Sequence, residues 1–148
     1  MKNLILFSAL ILTIHASPPR DNVFRGCVQE LYLKSSDKPI VCRISKFDVD
    51  GNIRNIGRFY DCVFVVNNLY KKYTTKLQLD AVVKALKPFG PVSEADVDEV
   101  VHQCKEEYPN ITGLEYLTCF LSDAKTKKAF KKLMISSDET FFKKDHCN

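Results

Sequence analysis

Apolar residues recur at helical spacing along most of the chain. Between Asn22 and Lys34, Phe24, Cys27, Val28 and Leu31 share one face, and Asn22 is placed to cap the segment. A short second segment runs from Ile40 to Phe47, after Pro39. Asp48-Val49-Asp50-Gly51-Asn52 then reads as a turn, because Asp, Gly and Asn accept unusual backbone angles. Through Ile53 to Tyr70 a broad stripe is traced by Ile56, Phe59, Tyr60, Val63, Phe64, Asn67 and Tyr70. Its run Val63-Phe64-Val65-Val66 also suits a buried strand; length and the stripe favour a helix.

Thr75 to Leu86 turns Leu79, Val82, Val83 and Leu86 inward and is stopped by Pro88 and Gly90-Pro91. Ser93 with Asp96 is close to a capping box, with Asp in place of Glu, and Thr112 with Glu115 is a better one; they open two further helices. Val97, Val100, Val101 and Cys104 form the stripe of the first; Leu114, Leu117, Leu121 and Ala124 form that of the second. Phe130, Leu133 and Met134 fall out of phase with the latter, so a break is expected between Ser122 and Thr126, with another helix beyond it. A last turn of helix is expected from Ser137 to Lys144. No repeat or linker divides the chain. The pattern predicts an all-α single domain of about six to eight short helices.

Two features add to this picture. An apolar run from Leu4 to Ile14 follows Lys2, which is the layout of a secretory leader ending at Ala16 and too short for a membrane span. Residues 17–148 are then the expected mature domain. It holds six cysteines, an even count that pairs in an oxidising compartment. Sequence alone allows about fifteen connectivities. Such staples support a helical shell around a pocket that a small core would otherwise fill.

The formal net charge of +4 is too mild to demand nucleic acid, and neither that partner nor a membrane is expected. Its distribution says more. Residues 94–107 hold six carboxylates against Lys105, and residues 125–144 hold seven lysines against Asp138 and Glu139.

The chemistry of an enzyme is missing. His102 and His146 stand apart, without metal-ligand spacing, and no nucleophile elbow or phosphate-cradling glycine loop occurs. Asp48-Val49-Asp50-Gly51 is no calcium loop, since its glycine comes early and its twelfth position is Phe59. No metal or other cofactor is expected. Asn110-Ile111-Thr112 is an N-glycosylation sequon between two helices.

The order of several short stretches points further. Cys42-Arg43-Ile44-Ser45-Lys46-Phe47, Tyr60-Asp61-Cys62-Val63-Phe64, Lys84-Ala85-Leu86-Lys87-Pro88, Val100-Val101-His102-Gln103-Cys104, Tyr116-Leu117-Thr118-Cys119-Phe120-Leu121 and Ala129-Phe130-Lys131-Lys132 occur in this order. With the cysteine framework they resemble the short form of the salivary D-seven family of blood-feeding flies, within the insect odorant-binding protein superfamily. The wide gap between Cys42 and Cys62 departs from the ordinary odorant-binding spacing and favours the salivary branch.

The resemblance implies an odorant-binding-protein-like helical ligand binder, monomeric and secreted into saliva, that sequesters small hydrophobic or amphipathic host mediators. It implies the disulfides Cys27–Cys62, Cys42–Cys147 and Cys104–Cys119. Amine-binding members place an arginine at the position of Ser45 (Lys46 is beside it), a histidine at Phe59, a tyrosine at Leu117 (Tyr116 is beside it), and an acidic pair at Ile135 and Asp138. The position of the main counter-ion for an ammonium is therefore apolar here, and burying an unpartnered cation is costly.

The sequence thus favours an eicosanoid, such as a cysteinyl leukotriene or thromboxane, over serotonin or histamine. Phe59, Val63, Tyr116, Leu117, Phe120 and Phe130 are the expected apolar walls, and Lys46 or another lysine the expected carboxylate partner. Two other readings stay open. Lys128, Lys131 and Lys132 on one helix face, with Lys125 a turn earlier, suit a polyanion or a clotting factor, or are simply a solvated face. A general odorant carrier is the other.

Overall fold

The computed structural model describes residues 22–33 and 37–148. The leader and Lys34 lie outside the described residues. The helices are α1 (Val23–Cys27), α2 (Lys38–Ser45), α3 (Ile56–Val66), α4 (Leu79–Leu86), α5 (Glu94–Glu107), α6 (Gly113–Ser122), α7 (Lys127–Ser137) and α8 (Glu139–Lys143). Short 3-10 turns follow α1 at Val28–Leu31 and α4 at Lys87–Phe89. An isolated bridge joins Tyr70 to Leu77, and the described residues contain no β-strand. The expected all-α fold is observed.

Boundaries follow local chemistry. Ser93 and Thr112 close their capping boxes with Asp96 and Glu115, so α5 and α6 start where the sequence placed them. Asn22 makes no capping bond, and the first helix gives way after one turn to the 3-10 turn. The β-branched run of α3 is helical, because Val63 and Phe64 face the core while Val65 and Val66 face outward. Pro39 lies inside the first turn of α2 rather than before it, where its missing N–H costs nothing. Thr75 to Gln78 precede α4 as the bridged loop, a shorter helix than the periodicity suggested.

The pairing of α3 with α6 is the centre of the fold. It depends on Gly113: a Cβ there would lie 2.4 Å from the Tyr60 carbonyl carbon, closer than atoms can pack. Asp61 fixes the same crossing by accepting from the Gly113 N–H at 2.7 Å and the Tyr70 hydroxyl at 2.9 Å. Three disulfides, Cys27–Cys62, Cys42–Cys147 and Cys104–Cys119, tie α1 to α3, α2 to the C-terminus, and α5 to α6.

Two aromatic groups fill the core. Phe64, Tyr70, Tyr116, Phe120 and Phe130 form one, between α3, α6 and α7. Phe24, Phe59, Phe141 and Phe142 form the other, and it reaches the surface at α8.

Candidate functional site

The end of α2, the middle of α7 and one face of α8 line a groove of about 370 Å³. This lies in the range of small-molecule sites. Its lining is Ser45, Lys46 and Phe47 on one side, Lys131 and Ile135 on another, and Glu139, Phe142 and Lys143 on the third. Lys131, Ile135, Glu139 and Phe142 continue one helical stripe across the α7–α8 join. The join is Asp138, whose non-helical backbone ends α7 and whose carboxylate caps α8 by accepting from the Phe141 N–H at 3.0 Å.

Phe47 owes its place to the end of α2. Lys46 is the C-cap, and Phe47 follows with a left-handed φ of 56°. Asp48 N–H donates to Arg43 O at 2.9 Å and Phe47 N–H to Ile44 O at 3.0 Å. This is a Schellman ending, a position that normally takes glycine. Asn68 plays the equivalent part after α3 with φ 57°, as a residue that tolerates it. A phenylalanine there is strained, and the strain coincides with the groove. It turns the ring onto Phe142, and the Lys131 ammonium stands 5.8 Å from the Phe47 ring centroid.

The groove's charge is mostly positive. Lys46, Lys131 and Lys143 line it, with one carboxylate, Glu139. That carboxylate is already engaged: Lys143 Nζ lies 2.6 Å from Glu139 Oε2 and holds Glu139 below its ordinary pKa. Asp138 does not reach the groove. It is fully buried, accepts from the Arg25 N–H at 3.0 Å and sits 3.5 Å from Arg25 Nε, binding α1 to the α7–α8 turn.

Of the residues singled out from the sequence, Ser45, Lys46, Lys131 and Ile135 come together here. Phe59, Val63, Tyr116, Leu117, Phe120 and Phe130 lie in the packed core instead, each at most 2% exposed. Phe59 approaches the groove only through Phe24, which packs against Phe142 at 4.7 Å. Phe47, Glu139, Phe142 and Lys143 were not singled out as groove residues. The signal for two of them, Glu139 and Phe142, was the continued stripe Lys131-Ile135-Glu139-Phe142, hidden by the helix break. Lys125 leaves the proposed cationic face, because its ammonium bridges Asp96 at 3.1 Å and Glu99 at 3.0 Å. Asn110 is exposed between α5 and α6.

No family model matches the sequence. The chain is similar to a curated protein, "Short form salivary protein D7S1" of Aedes aegypti, 32% identical over 126 residues, covering 84% of each chain. The chain belongs to the short-form salivary D-seven family. This D-seven protein is therefore a salivary, secreted protein of a ligand-binding family.

Proposed function

We propose that the groove binds a small amphipathic anion, and that this D-seven protein scavenges lipid mediators bearing a carboxylate, of the eicosanoid class, in preference to biogenic amines. The observation carrying this reading is the lining itself: three lysines surround the stacked Phe47–Phe142 pair, and the single carboxylate is taken by Lys143. An ammonium entering the groove meets like charge, and its only acidic partner must first give up Lys143. A carboxylate meets two ammonium groups, at Lys46 and Lys131, while its apolar chain lies on the aromatic floor. Affinity then comes from enclosing apolar area plus a few placed charges.

Calorimetric titration with leukotriene and thromboxane analogues, beside serotonin and histamine, tests this. Binding of the lipid acids with the amines silent is the expected outcome. Submicromolar binding of amines alone contradicts it.

A further inference from the structure

We propose that the outer face of α7 is a docking surface for sulfated polysaccharide, adjoining the small-ligand groove at Lys131, whatever that groove binds. Lys127, Lys128, Lys131 and Lys132 occupy the first two turns of α7, and all four are exposed. No acidic residue lies within α7, and among the described residues none of these four lysines has a carboxylate at ion-pair distance. Lys125 shows the contrast, since two acids of α5 neutralise it.

The arrangement opposes the helix that carries it. Lys127 with Lys131, and Lys128 with Lys132, are like-charge pairs one turn apart, which destabilise a helix. They also crowd its positive end, where acidic side chains are the favourable ones. A local rule broken this consistently marks a surface kept for a partner. The stripe runs on toward Lys46 and Lys143, so lysines from three elements face one side.

The chemistry selects the partner. A linear polyanion relieves the repulsion along the whole stripe, releasing counterions as it binds. The face contains no arginine, the residue suited to paired contacts with phosphate. It also presents no exposed large apolar side chain for insertion into a bilayer; Tyr32, Val65, Val66 and Tyr73, the exposed large hydrophobics among the described residues, all lie on other segments.

The test is retention of the full protein on immobilised heparin at ~0.15 M salt. The variant K127A/K128A/K132A leaves Lys131 and the groove intact. K71A/K72A/K76A removes the same charge from the exposed loop before α4. We expect the wild type and the loop variant to be retained, and the α7 variant to bind roughly tenfold more weakly or worse. Its melting temperature should stay level or rise as repulsion is relieved. The proposal is overturned if the wild type flows through, if both variants lose retention equally, or if phosphatidylserine vesicles bind the face while heparin does not. A clear fall in melting temperature for the α7 variant would also overturn it, by assigning these lysines to the fold.

Discussion

Phe47 and Phe142 stack with ring centroids 5.1 Å apart and planes 19° from parallel, and Phe47 does this from a left-handed backbone that suits glycine. The two effects pull in opposite directions. Phe47→Gly relieves about 1–2 kcal/mol of backbone strain and forfeits a stacked pair worth about 0.5–1.5 kcal/mol. The expected result is a melting temperature within a few degrees of wild type, together with a roughly tenfold or greater loss of ligand affinity. Phe47→Ala keeps the strain and loses the ring, so it should melt below Phe47→Gly. Thermal melts and titrations of the two variants check this ordering. If alanine proves the more stable, the left-handed strain is not real.

The Cys42–Cys147 disulfide closes a loop with a sequence separation of 105 and holds the C-terminal segment beyond α8 beside α2, whose end forms one wall of the groove. Cys104–Cys119, with a separation of 15, joins α5 to α6 away from it. The chain-entropy estimate gives about 4.7 kcal/mol for a loop near a hundred residues and about 3 for one near fifteen. Both double alanine variants should be less stable. At a temperature where each remains folded by circular dichroism, only C42A/C147A should lose ligand affinity. Equal binding losses would mean that the groove does not depend on this tie.

Asp96 closes the α5 capping box, and the Ser93 hydroxyl and N–H, then Lys125, depress its pKa to about 2 from an ordinary 3.8. A depressed folded-state value means that the stabilisation is present above the unfolded value and lost as pH falls through the folded one. Stability should therefore decline between about pH 4 and pH 2 through this site. Asp96→Asn should flatten that part of the acid unfolding curve. Ser93→Ala should cost about 0.5–2 kcal/mol at neutral pH as a lost N-cap.

Thr112 has two roles. Its hydroxyl accepts from the Leu114 N–H at 3.2 Å and pairs with Glu115 to cap α6, and it completes the sequon at Asn110. We expect Asn110 to carry a glycan in protein secreted from insect cells. Asn110→Gln should remove the glycan and leave stability nearly unchanged, whereas Thr112→Ala should remove the glycan and also cost about 1 kcal/mol. Mass spectrometry before and after glycosidase treatment, with a melt of each variant, separates the two roles.

The helices themselves were legible because each stripe needs only neighbours in sequence. Ser93–Asp96 and Thr112–Glu115 marked their starts almost to the residue, and the phase slip at Phe130 marked the α6–α7 break. The groove was less legible. Buried aromatics such as Phe59 and Phe130 look alike in sequence whether they line a cavity or fill a core, and only three-dimensional packing assigns them to the core. Phe47 and Phe142 lie 95 positions apart in sequence, and nothing local to either announces the other. The cysteine pairing was likewise beyond spacing alone, because closing a loop depends on where helices land rather than on how many residues separate them.

In the proposed function, a lysine-rimmed aromatic groove recognises an apolar anion through its charge. Titration of one thromboxane-type acid and its methyl ester against the same protein tests this most directly, because the pair differs only in that charge. The acid should bind at least about tenfold more tightly, with most of the difference erased in K46A/K131A. Equal affinity for acid and ester, or tighter binding of serotonin than of the acid, would contradict it.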